Sequence, residues 1–259
     1  AYWVWMLILV TFVFQAVSYE FQNKVGNLLG KNAFRVFLVI NGLLGPLLIG
    51  AAVGTFFTGS QFIVDKSAVA NTAMPVISQW CTEWRGLEAV ANFFNVTFGL
   101  MVMFLAISLG LMYMINNINN QNLHIMCARY LRSMFTSFLV TFIFVVYKLL
   151  TMNGFAVATD GYIYLERYKY LHNFMEMPIV SVLFVVGALL VVTGVILTLF
   201  VPFYKRGIWF AGPGTVMTVM AIFMVAGYNN TAYYPSVADW QSSLTIANSS
   251  SSEFTLKSM

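Results

Sequence analysis

Apolar positions in this chain gather into six long, nearly unbroken runs, at residues 1–18, 34–57, 89–115, 131–151, 177–203 and 207–228. Polar residues are confined to the stretches between them and to residues 229–259. A helix of about 20 apolar residues rises about 30 Å, the thickness of a bilayer's hydrocarbon core, and backbone groups out of reach of water must pair within such a helix. The runs are too long and too continuously apolar for the alternating strands of an outer-membrane barrel. The pattern therefore predicts an all-α, multi-pass membrane protein, a single integral domain over residues 1–259. Composition agrees: 60% of residues are hydrophobic, only 8% are charged, and the mean hydropathy is +0.80. A soluble domain carries charge at roughly a quarter of its positions. The first run opens at residue 1 without a basic lead-in, and residues 229–259 end before any further apolar run, so the chain is expected to be part of a longer polypeptide.

Charge sets the orientation. If the first helix runs from outside to inside, the inner segments hold Lys24, Lys31, Arg35, Arg129, Arg132, Lys205 and Arg206 against one acid, Glu20. The outer segments hold the remaining six basic residues and eight acids, spread over much longer stretches. Density of Lys and Arg in short loops is what fixes orientation, so this topology is favoured. Trp3, Trp5, Trp80, Trp84, Tyr204, Trp209 and Tyr228 fall near span ends, where aromatic belts lie. The net charge of +4 thus reflects membrane orientation, with no dense basic stripe to bind nucleic acid.

Redox chemistry has few ligands to draw on. Cys81 and Cys127 fall on opposite sides of the bilayer, out of reach of a disulfide, and two thiols are too few for a cysteine-ligated cluster. His124, expected in an inner loop, and His172, expected outside the fifth span, lie roughly 30 Å apart across the hydrocarbon and cannot clamp one haem between them. A haem held by one histidine, or by a methionine and a histidine, stays open to a chain with 15 methionines, which are read as packing ahead of ligation. No catalytic, cofactor-binding or metal-ligating residue is assigned.

The span centres hold no charge. Glu20, at the inner end of the first run, is either half of an interfacial ion pair or a proton-accepting carboxylate at the mouth of a relay. Lys148 is placed to snorkel to the outer headgroups. Gln15, Asn41, Asn92 and Asn95 are read as interhelical hydrogen-bonding residues or holders of a water wire. Gly42, Gly45, Gly50 and Gly54 offer a close-packing face on the second span, which Pro46 interrupts, and Gly187, Gly194 and Gly212-Pro213-Gly214 repeat the device in the last two spans.

The text outside the span centres carries a likeness. "QAVSYEF" at Gln15–Phe21, "NGLLGPLLIGAAVGTFFTG" at Asn41–Gly59, "YKYLHN" at Tyr168–Asn173, "KRGIWFAGPGTV" at Lys205–Val216 and the tail from Ala226, with "SLTIANSSSSEFTLKSM", resemble, in order, subunit II of cytochrome bd quinol oxidases. Gln22 stands where that family commonly has a basic residue. The resemblance implies a protein of about nine spans built on four-helix bundles, of which six are visible here, with two leading helices and one closing helix absent and residues 229–259 leading toward the latter. It further implies a haem-free scaffold for a haem-bearing subunit I, with haems b and d in that partner, quinol as substrate of the complex, a role in proton uptake, contacts with lipid, quinone and small accessory subunits, and a bacterial inner membrane. The rival expectations are a secondary transporter, which would need mid-membrane charges or broken helices, and a structural subunit of another respiratory complex.

Overall fold

Among the described residues six helices are long and apolar enough to cross a membrane: α1 (Tyr2–Phe21), α2 (Gly30–Thr58), α4 (Phe93–Asn117), α5 (Gln121–Thr151), α7 (Pro178–Phe200) and α8 (Ile208–Gly227). The remaining elements are short: strands β1 (Phe62–Val64), β2 (Ser78–Trp80), β3 (Gly154–Val157) and β4 (Ile163–Glu166), and helices α3 (Leu87–Val90) and α6 (Lys169–Glu176). This computed structural model describes residues 2–24, 26, 29–65, 78–201 and 204–246; residue 1 and residues 202–203 of the expected spans, and the Ser-rich stretch 247–259, lie outside them.

Two helix starts differ from the sequence expectation for identifiable reasons. The expected span 89–115 is two elements, because Asn92 stands between α3 and α4 and caps the latter, its Oδ1 accepting from Phe94 N at 2.9 Å. The expected span from residue 131 begins ten residues earlier, at Gln121, where Asn120 Oδ1 accepts from Leu123 N at 3.2 Å. At 1.5 Å per residue a helix of 31 residues is about 46 Å long and outruns the hydrocarbon. Its polar first turns project past the apolar zone, so His124, Cys127 and Arg129, expected in a loop, are helical, and Cys127 is buried.

Neighbouring spans pack in sequence: α1 on α2, α2 on α4, α4 on α5, and α7 on α8, with lighter contacts from α4 to α8 and from α5 to α7. Met112, Leu131, Phe135, Phe138, Val191, Val195, Ala221 and Val225 form the main core, while Val4 and Ile8 of α1 make a smaller cluster with Ala51 and Val90. Glycines set the closest approaches. A Cβ on Gly50 would stand 2.8 Å from Gly99 Cα, and one on Gly54 would stand 2.6 Å from Asn95 Oδ1. On the other pair a Cβ on Gly187 would stand 2.8 Å from Gly214 O, and one on Gly194 would stand 2.9 Å from Ala211 N. Gly42 and Gly45 correct the expected packing face: a Cβ on Gly42 would meet nothing within 4 Å, and one on Gly45 only Asn41 Oδ1 at 3.7 Å. Both α2 and α8 continue as helices through Pro46 and Pro213.

All the strands sit at one end of the bundle. β1 pairs antiparallel with β2, and β3 with β4. Residues 229–246, part of the polar stretch expected to lead toward a further helix, knit these hairpins together through bridges Ser60 to Ser236, Ala156 to Thr231 and Tyr234 to Leu244. Gly59 makes the crossing possible. It ends α2 at φ 76°, a left-handed conformation that glycine adopts without strain, and Pro235 O lies 2.5 Å from where its Cβ would be. Ser60 N then donates to Pro235 O at 3.1 Å, and Val237 N to Ser60 O at 2.9 Å. This end is called the cap. The opposite end holds three short connections and Lys24, Lys31, Arg35, Arg129, Arg132, Lys205 and Arg206, and is called the basic end.

Candidate functional site

The polar residues singled out in the sequence divide between the two ends. At the basic end Glu20 is exposed and pairs with Lys24 at 2.8 Å, one helical turn on, while the Lys24 ammonium lies 4.7 Å from the Phe21 ring centre. One to two turns deeper, Asn41 Nδ2 on α2 donates to Gln15 Oε1 on α1 at 2.7 Å. Asn41 Oδ1 and the fully buried Ser18 Oγ have no hydrogen-bond partner among the described residues.

Toward the cap, Asn95 is completely buried between α4 and α2. Its Nδ2 donates to Thr58 Oγ1 at 2.7 Å and to Ala89 O at 2.6 Å, binding α3, α4 and the end of α2 together. Asn92 is exposed and serves as the cap of α4, so it is not a polar group inside a span. From Asn41 to Thr58 is about 25 Å along α2. The buried positions between them are Gly45, Gly50, Ala51, Gly54, Thr55 and Phe57, and Thr55 Oγ1 is turned onto its own helix at Ala52 O, 2.6 Å away. The structure does not bring Glu20, Asn41, Asn92 and Asn95 into one chain of hydrogen bonds; it makes two separate groups.

The densest polar network gathers around "YKYLHN" at Tyr168–Asn173, where the sequence carries a family likeness and no assigned site. These residues form the turn into α6 and its first half, which lies across the cap. Asn173, wholly buried, donates from Nδ2 to Val225 O at 2.9 Å and to Thr231 Oγ1 at 2.8 Å, and its Oδ1 accepts from Asn229 Nδ2 at 3.0 Å. Asn229 also donates to Glu176, and its φ of 57° is one that Asn tolerates better than most residues. Tyr170 is fully buried against the Phe57 ring, centroids 5.1 Å apart, with its hydroxyl 3.4 Å from Phe57 O, and burial pushes its pKa up. Lys169, Tyr170 and Asn173 share an inward face at i, i+1 and i+4, and that spacing was the available signal.

At the rim of this network Glu166 holds Lys169 Nζ at 3.1 Å and His172 Nδ1 at 2.6 Å. Partial burial by itself would raise the Glu166 carboxyl, but hydrogen bonds from His172 and Lys169, with their charges, hold it below its ordinary value. Lys169 is nearly buried, so this pair is better shielded from solvent than Glu20–Lys24.

Between α2, α4, α5, α7 and α8 lies an apolar cavity of about 270 Å³, bounded by Phe98, Met101, Phe142, Val191 and Ile222 among others. Thr215 and Thr218 also face it, but their hydroxyls are bonded to Ala211 O and Gly214 O of their own helix. The described residues do not suit axial ligation of haem. His124 sits at the basic end with Nε2 2.5 Å from Ile118 O, and His172 at the cap on Glu166. Met101 is the sulfur on the cavity wall, with no histidine opposite it. Among the described residues no group of three His, Cys, Asp or Glu side chains converges, and Cys81 and Cys127 are free thiols.

No curated protein matches this sequence. The model of the family described as cytochrome bd terminal oxidase subunit II matches residues 1–259, and the chain belongs to that family, a membrane subunit of a respiratory quinol oxidase complex.

Proposed function

We propose that this chain is the haem-free scaffold of the complex, holding a haem-bearing subunit I that carries haems b and d and oxidises quinol, and that it takes part in no electron transfer itself. The observation that supports this most is the placing of the two histidines at opposite ends of the bundle, each ring engaged by a local oxygen. Polar groups within the spans are used for binding helices together, at Gln15–Asn41 and at Asn95–Thr58. A proton route along α2 between these two pairs would have to cross its glycine-rich and apolar middle, so the geometry favours scaffolding over conduction by these residues. The density of Lys and Arg at the basic end supports a cytoplasmic placing of that end in a bacterial inner membrane.

The test uses the assembled complex. His124→Ala and His172→Ala are expected to leave the haem content per complex and the reduced-minus-oxidised spectrum unchanged, with quinol oxidase turnover within about twofold of the parent. Loss of one haem, or a shifted haem band in either variant with the complex still assembled, would overturn the reading.

A further inference from the structure

At the basic end, the corner between α4 and α5 faces the corner between α7 and α8 across an open recess. Tyr204, Arg206, Trp209 and Phe210 of the second corner and Asn116 of the first bound a volume of about 580 Å³. A second hollow of about 360 Å³ continues from it, sharing Tyr204 and bounded by Lys205, His124, Gln121 and Asn119. Lys205 Nζ donates to Asn119 Oδ1 at 3.2 Å, which joins the two corners and fixes the ammonium at the hollow's edge with two hydrogens still to give. We propose that this recess binds the phosphate headgroup of an anionic phospholipid, with an acyl chain lying along the exposed apolar stripe of α8.

Three independent features point to that ligand. Charge is the first. Neither Lys205 nor Arg206 takes part in an ion pair among the described residues, and the nearby sequence offers no acid to neutralise them, since Glu20 is engaged by Lys24. Cationic hollows between helices at a membrane surface are what anionic headgroups fill. The second is the polar and apolar layering. Arg206, Lys205 and the Tyr204 ring ride above Trp209 and Phe210, and below them Val216, Met220 and Phe223 continue an exposed apolar line down α8. A soluble anion would use only the upper half; a phospholipid uses both. The third is the seating of α8. Gly207 precedes it with no side chain, because a Cβ there would collide with Thr198 Oγ1 and Gly194 O of α7. That seats the N-terminal turn of a 20-residue helix, where partial positive charge collects, beside Arg206, with its first-turn residues Trp209 and Phe210 lining the recess.

The test is retention of lipid by the purified complex, measured by native mass spectrometry after incubation with dioleoyl phosphatidylglycerol or dioleoyl phosphatidylcholine. The parent is expected to keep phosphatidylglycerol through detergent dilution and to lose phosphatidylcholine. A cation beside an anionic headgroup contributes about fivefold in affinity, so Lys205→Ala with Arg206→Ala should lower phosphatidylglycerol retention by roughly 25-fold. Arg129→Ala with Arg132→Ala, at the same end but outside the recess, should change it by less than about twofold. If the double variant does not assemble, Trp209→Ala, which keeps both charges and removes part of the apolar shelf, is expected to speed lipid loss on its own. Equal retention of the two lipids, or retention unchanged by the recess variants, would overturn the proposal. So would inorganic phosphate displacing the lipid at concentrations comparable to the lipid's own, since that would mark a site for a soluble anion.

Discussion

The two halves of α2 are made of similar residues and behave differently. Toward the cap, Gly50 and Gly54 press against Gly99 and Asn95 so closely that neither has room for a methyl group; toward the basic end, Gly42 and Gly45 have no close neighbour on another helix. The same contrast holds for the asparagines. Asn95 and Asn173 each join several elements, whereas Asn41 makes one bond, to Gln15; the side-chain oxygens of Asn41 and Asn95 both lack a hydrogen-bond partner among the described residues. Small and polar residues in a membrane helix are therefore not packing devices by type. They become so where a second backbone arrives, and in this molecule the backbones converge toward the cap.

The largest effect should come from breaking the convergent half. Gly54→Leu would place a side chain where Asn95 Cα already stands 3.0 Å from the added Cβ, and backbone cannot swing aside as a flexible side chain can. Overpacking of this kind costs about 1–3 kcal/mol and more when backbone must move, so the variant should accumulate poorly and melt earlier in detergent. Normal yield and melting would remove the seam between α2 and α4 as a source of stability.

Next is a matched pair of asparagines. Asn173→Leu would remove two donated bonds and one accepted bond, leaving Thr231, Asn229 and the Val225 carbonyl short of partners in a buried site; at about 1–3 kcal/mol per unsatisfied group the loss should be about 3 kcal/mol or more. Asn41→Leu would remove a single interhelical bond, for about 1 kcal/mol. Thermal melting of both variants under one set of conditions checks the ratio. Equal losses would mean that the cap network is no tighter than a lone pair of amides.

This difference also explains what the sequence could and could not disclose. The spans are legible because hydrocarbon imposes one rule on every residue: about 20 apolar positions in a row. The glycine contacts of α7 with α8 were legible for a similar reason, as spaced small residues at Gly187 and Gly194. The cap obeys no such periodic rule. Its bonds join residues as far apart as Ser60 and Ser236, or Asn173 and Asn229, and nothing in the local pattern of residues 229–246 announces its partners. Asn92 misled for a related reason. An apolar run does not reveal whether an asparagine near its start sits inside the helix or caps it, and only the Phe94 N–H bond decides.

Acid should loosen the cap before the seams. The Glu166 carboxyl is held below its ordinary value of 4.5 by Lys169 and His172, so the folded state prefers it ionised. Its contribution is complete above the ordinary carboxylate value and disappears as the pH falls through the lower, folded one. Hydrogen exchange at β3, β4 and α6, corrected for the intrinsic pH dependence of amide exchange, should therefore quicken as the pH falls below the ordinary carboxylate range while the α2–α4 seam stays protected. Glu166→Gln should flatten that dependence. Exchange that quickens equally in cap and seam would show that the two are one cooperative unit.

The smallest effect sharpens the contrast from the other side. Gly42→Ala adds a methyl group to the open half of α2, where a Cβ meets nothing within 4 Å. In a helix interior alanine is favoured over glycine by about 0.8–1.0 kcal/mol because less backbone freedom is lost on folding. Pro46 lies four residues on and cannot donate to the Gly42 carbonyl, so that turn is already short of one bond and part of the gain will be forfeited. The net expectation is a slight rise in melting temperature, or none, against the sharp loss for Gly54→Leu on the same helix. A pronounced drop for Gly42→Ala would mean that something outside this chain packs against that face, in which case the open half of α2 is a contact surface completed by a neighbouring helix.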